Sequence, residues 1–163
     1  MPSALAQAWT LDPAITFLNH GSFGATPRAV LDAQTRWRVQ MEADPVRFLA
    51  QELEAHLDGA RAELATFLGA DHEDLAFMPN ATAGINTVLS SLRFAPGDEL
   101  LVTDHAYNAA KNALEGAAER WGARPVVVDL PFPGATPGDV CARILAALSP
   151  RTRFALVDHV TSP

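Results

Sequence analysis

A chain of 163 residues, 48% apolar and 19% charged, has the composition of an ordinary globular protein that buries about 70% of its unfolded surface, and not of a disordered one. Its formal charge of −7, with no block of Lys or Arg, speaks against nucleic acid as a partner, because a phosphate backbone is met with clustered positive charge. Cys141 is the only cysteine, which excludes an internal disulfide and suits a reducing compartment. The first 27 residues hold no Lys or Arg to make a secretory n-region, and no apolar run is long enough to cross a bilayer, so a soluble cytoplasmic protein is expected.

Residues 1–25 read as an irregular arm with one apolar stretch, Ile15 to Leu18, followed by "NHGSFGATP". Thr26-Pro27 reads as an N-cap with Pro at the first helical position, opening a helix that runs to about Met41. Asp44-Pro45 repeats the device and opens a longer one. Leu49, Leu53, Leu57, Ala60, Leu64 and Phe67 recur every three or four residues along it and give it one apolar face. Gly69 is its expected stop. From Leu75 the pattern changes. Apolar runs at about 75–79, 99–103, 125–130 and 153–158 read as strands, with helices at about 82–93, 108–121 and 137–148 between them, the last opened by Thr136-Pro137. Strands alternating with helices predict βαβ units, a mainly parallel sheet and right-handed crossovers. The segment "LPFPGATPG" at 130–138 is a loop inside this unit. Three segments follow: an arm at 1–25, a helical segment at 26–69, and an α/β segment at 70–163.

The most informative stretch is "FMPNATAGIN", Phe77 to Asn86. It places Asn80-Ala-Thr-Ala-Gly84 after an expected strand and at the start of a helix, where parallel sheets bind ligands. Free amides and the positive end of the helix dipole favour a phosphate there. Small residues at 81, 83 and 84 let an anion approach, and Thr82 can add a hydroxyl. On spacing alone the turn reads more readily as a helix simply capped by Asn80 or Thr82, since capped βα turns are common. No G-x-x-x-x-G-K-[ST] and no G-x-G-x-x-G is present. The five histidines are dispersed with neither H-E-x-x-H nor a Cys partner, so no metal site is expected. "HGSFG" lacks the spacing of a nucleophile elbow. Cys141, among apolar neighbours in an expected helix, reads as a small core residue.

With these residues in view, the sequence resembles the class V aminotransferase group of pyridoxal-phosphate enzymes, fold type I, and in particular the isopenicillin-N-epimerase-like branch. Four segments carry the match: "FLNHGSFGATPRAV", "NATAGIN" at 80–86, "TDHAYNA" at 103–109 and "DHVTSP" at 158–163. Their order and separation fit from about Phe17 to the last residue. The resemblance implies the three-layer α/β sandwich of the aspartate aminotransferase-like major domain, of which residues 70–163 would be the first part, with the arm supplying a loop through which substrate enters. It implies pyridoxal 5′-phosphate as cofactor and an amino acid as substrate, handled through an aldimine and a Cα carbanion by epimerase, aminotransferase or carbon–sulfur lyase chemistry.

Residue by residue, the resemblance makes Ala81 and Thr82 the phosphate cradle. Tyr107 becomes the ring stacked on the pyridine, preferred over His105 for its distance to Trp121-Gly122-Ala123. Thr161 and Ser162 fall at the polar contact to the phenolic oxygen, although Ser162 stands where desulfurases usually have Asn. Asn19, His20 and Gly21 correspond to the substrate-facing loop; without the family they read as a Gly-rich turn. The family's Schiff-base lysine and its pyridine-facing aspartate lie beyond these segments. Lys111, the sole lysine, is expected on a solvated helix face, and Asp158 is not at the position of the family's aspartate. The chain therefore reads as the N-terminal portion of a longer enzyme, inactive alone. The helix at 46–68 is expected to pack on a second subunit in a homodimer. Two other readings stand beside this one: a non-catalytic binding or dimerisation module, and an unrelated α/β phosphate-binding protein.

Overall fold

The computed structural model describes residues 4–161. They form two compact units, Met1–Ala76 and Phe77–Pro163.

In the first unit, a short 3-10 turn (Ala4–Ala8) precedes an irregular segment tied by the Trp9 indole, which donates to the carbonyl of Ala25 at 3.0 Å. Gly24 is required there, since a Cβ would lie 2.9 Å from the His20 carbonyl oxygen. Helix α1 (Arg28–Ala43) starts one residue later than the Thr26 signal suggests. Pro27 is its N-cap, with no side-chain cap; the Pro27 carbonyl takes the amides of Val30 and Leu31. Asp44 caps the next helix as expected, accepting from the Arg47 amide at 3.1 Å. That helix is composite. The α-helical turn α2 (Pro45–Arg47) passes through a π turn (Phe48–Glu52) into α3 (Leu53–Leu68), which stops at Gly69 with φ 67°. A π turn inserts one residue and rotates the faces on either side by ~100°. This explains a departure from the predicted stripe. Phe48 and Ala65 are buried, and Phe48 packs with Trp37 and His56, whereas Leu49, Leu57, Leu64 and Phe67 are exposed.

The second unit holds helix α4 (Ala81–Ser91), strand β1 (Glu99–Thr103), helix α5 (Asn108–Trp121), strand β2 (Arg124–Val128), helix α6 (Pro137–Ala147) and strand β3 (Thr152–Leu156). The sheet is parallel, in the order β2-β1-β3. Moving from β1 to β2 and then back across β1 to β3 reverses direction, so right-handed crossovers must put α5 and α6 on opposite faces. The packing agrees. Leu100 and Val102 join Leu89 of α4 and Ala110 and Leu114 of α5 in one core, while Leu101 meets Val140 and Ile144 of α6 in another. The result is three layers around a central strand buried along its whole length. Pro125 is tolerated because β2 is an edge strand among the described residues. Thr136 and Asp139 form a reciprocal capping box at α6, as the Thr136-Pro137 signal predicts.

Three expectations are corrected. No strand forms over 75–79: a 3-10 turn (His72–Asp74) leads into irregular chain up to Asn80. An apolar run becomes a strand only by pairing, and the described ladders join only β1, β2 and β3. Cys141 is exposed rather than part of the core. Lys111, expected on a solvated face, is half-buried on α5 as well.

The start of the sheet is closed by a buried carboxylate. Glu99, 2% exposed, accepts from Ser149 Oγ at 2.7 Å, Arg124 Nη2 at 2.6 Å and Arg151 Nη2 at 3.0 Å. These donors, the Ser149 hydroxyl foremost and then the Arg124 guanidinium, hold its pKa down at about 2 against the burial that pushes it up.

Candidate cofactor site

The helix α4 opens at Asn80, whose extended backbone (φ −166°, ψ 169°) turns its side chain to accept the Ala83 amide at 2.8 Å. The Gly84 amide reaches the Asn80 carbonyl at 3.1 Å. The capping reading is therefore realised by Asn80. It leaves the amides of Ala81 and Thr82, which as the first two of the helix have no intrahelical acceptor, directed outward with the positive end of the dipole. The two readings of the turn are compatible, since two amides left free at a helix opening suit an anion.

The structure brings three of the four motif segments together at the carboxyl edge of the sheet. One cleft of about 380 Å³ runs between the first turns of α4 (Gly84, Ile85, Val88) and β3 from Phe154 onward to Asp158. Asp158 in turn accepts the backbone N–H of Tyr107 at 3.0 Å, across 51 residues of chain. Tyr107 is the N-cap residue of α5, and its side chain is 58% exposed.

His105 is placed differently. Its side chain is only 14% exposed and meets Phe132 edge to face, with centroids 5.8 Å apart. It lines a second cleft of about 370 Å³, on the side of α6, together with Thr103, Phe132, Asp158 and Thr161. Thr103, 1% exposed, keeps its hydroxyl there without a hydrogen-bond partner. Asp104 ties this region by accepting the Leu130 amide at 2.9 Å. Ser162 lies outside the described residues. Asn19 and His20 belong to the first unit, in an exposed turn where the Phe23 amide reaches the Asn19 carbonyl and the His20 ring packs on the edge of Phe17. Among the described residues no group of three or more His, Cys, Asp or Glu could hold a metal ion, and no helix is long and apolar enough to cross a membrane.

Asp104 is a residue that sequence reasoning passes over, and Asp158 one that it weighs only as a partner of the pyridine. Each is a polar residue just past a strand. Only the folded topology shows that their carboxylates grip neighbouring segments.

The layers and the carboxyl-edge clefts define an α/β protein of the kind that binds its ligand across strand ends. More particularly, the chain belongs to the aminotransferase class-V family, which matches residues 17–162. It is 38% identical over 152 residues to an isopenicillin N epimerase of Streptomyces clavuligerus, covering 93% of this chain and 38% of that one. It is 31% identical to a probable chloroplastic L-cysteine desulfhydrase of Arabidopsis thaliana, covering 93% and 35%. Among solved structures, a C-DES mutant with glycine covalently linked to its PLP cofactor superposes with a TM-score of 0.78 at 24% identity, over 95% of this chain and 40% of that one. The expected fold is thus the observed one. The chain spans about two fifths of the length of these relatives.

Proposed function

We propose that this chain forms the phosphate and ring side of a pyridoxal 5′-phosphate site in an enzyme that acts on an amino acid, by epimerase, aminotransferase or carbon–sulfur lyase chemistry. The observation that carries the reading is Asp158, which follows β3, bonds the Tyr107 amide and shares a cleft with the first turns of α4. When bound, the cofactor supplies an electron sink for the Cα of an amino acid. The amides of Ala81 and Thr82 hold its phosphate, with the Thr82 hydroxyl as a further donor. Tyr107 covers one face of the ring and excludes water from it. Ser162 gives a polar contact to the phenolic oxygen. The relatives' names, an epimerase and a desulfhydrase, support the substrate class. The exposed apolar residues of α3 support a homodimer, and the single cysteine supports a cytoplasmic location.

Titration of the protein with pyridoxal 5′-phosphate, followed by the absorbance and the induced circular dichroism of the ring, tests this. Thr82→Val and Tyr107→Ala are each expected to weaken binding, Tyr107→Ala by ~0.5–1.5 kcal/mol, the worth of an aromatic contact. Unchanged affinity in both variants would refute the assignment.

A further inference from the structure

We infer that Asp158 is a positioning residue for Tyr107, setting where the aromatic face stands over the site. The inference rests on the cofactor reading above and adds to it a residue whose work is done through another.

Tyr107 stands at the end of a short turn. The Ala106 amide reaches the Thr103 carbonyl, and Asp104 bonds to the β2 side through its own amide, to Val128, and through its carboxylate, to Leu130. The turn is thus held on the β2 side three residues before the tyrosine. The Tyr107 carbonyl accepts the amides of Ala110 and Lys111, which are bonds within its own helix. Its side chain caps nothing and, among the described residues, makes no ring contact or hydrogen bond. The tie that sets Tyr107 against the β3 side is the 3.0 Å bond from its N–H to Asp158 Oδ2. A carboxylate at the opening of a 14-residue helix also meets the positive end of the dipole. Asp158 faces the α4 opening as well, since it lines the cleft that holds Gly84 and Ile85. One side chain therefore both holds the amide of the ring-covering residue and lines the cleft beside the first turn of α4. Its loss would leave the cradle intact and let the tyrosine drift.

The test compares two ligands, pyridoxal 5′-phosphate and inorganic phosphate, on the same variants. Asp158→Ala should weaken the former roughly three- to tenfold, the share of affinity that an aromatic face supplies, reduce the induced circular dichroism of the ring, and leave inorganic phosphate unchanged. Asp158→Asn keeps an acceptor oxygen in place and should restore both signals. In a Tyr107→Ala background, Asp158→Ala should add nothing further. Should the Ala variant not fold, Asp158→Ser, whose shorter side chain falls short of the amide, takes its place with the same expectations. Weakening by Tyr107→Ala but not by Asp158→Ala overturns the positioning role and leaves the cofactor reading standing. Equal loss of both ligands, or a further loss in the Tyr107→Ala background, assigns Asp158 to general structure and also overturns it. Indifference of ring binding to Tyr107→Ala removes the cofactor reading and this inference with it.

Discussion

Replacing Thr103 by valine should stabilise the protein. The residue ends the central strand, pairs with Val128 in register, is 1% exposed, and its hydroxyl has no partner. Burying an unsatisfied hydroxyl costs about 1–3 kcal/mol, and valine keeps the β-branched shape while exchanging that hydroxyl for a methyl. The expected gain is about 1–2 kcal/mol, which at this chain length raises the melting temperature by roughly 2–8 °C. Two further substitutions separate polarity from packing. Ser keeps the hydroxyl and loses the methyl, at a cost of about 1 kcal/mol for the lost burial and small cavity. Ala loses both, so relief of the hydroxyl offsets part of the cavity. The expected order of stability, read from urea midpoints at constant slope, is Val above Thr, with Ala equal to or above Ser. The inverse order, Thr above Val and Ser above Ala, would mean that the hydroxyl is satisfied in the folded protein and would refute the reasoning.

The Glu99 carboxylate gives a pH signature. Its folded pKa of about 2 lies below the ordinary 4.5, so its contribution is fully present above the unfolded value and is lost as pH falls between these two. Thermal melts across that window should show wild type approaching Glu99→Gln as acid is added; a difference that stays constant from neutral pH down to about 2 would contradict the assignment. For the proposed dimer, sedimentation should give twice the chain mass. Phe67→Glu, at a side chain 86% exposed on α3, should shift it towards monomer, and a monomeric wild type would dismiss that interface.

What the sequence discloses depends on how local the cause is. Helix α5 is legible residue for residue because its Ala-rich run ends at Gly122, which takes a left-handed φ of 66°. The span of β1 is legible because five consecutive buried residues lie between Gly97-Asp98 and Asp104. The 75–79 run fails as a strand because pairing is supplied by neighbours and not by pattern. The stripe on 49–67 keeps its period, yet the π turn at Phe48 decides which side is covered, and no motif announces that turn. Cys141 misleads because apolar neighbours in sequence are spread around a helix. Of the site, Asn80 to Gly84 and Asp104 to Asn108 are visible as segments. The bond joining Asp158 to Tyr107 spans 51 residues, and a contact of that range is written in the topology alone.

The two ends of the sheet are held by contrasting means, and the contrast bears on where function can sit. At the amino end Glu99 is saturated by a hydroxyl and two guanidinium groups, so little polarity is left to offer a ligand. At the carboxyl end Asp104 and Asp158 each hold one amide of a neighbouring loop, the amides of Ala81 and Thr82 lack intrahelical acceptors, and the Thr103 hydroxyl is unsatisfied. Proteins violate local polar satisfaction chiefly where they act. The gain expected for Thr103→Val and the loss of ring affinity expected for Asp158→Ala both concern this end: the amino end stabilises the sheet, while the carboxyl end leaves polar groups unpaired at the cost of stability.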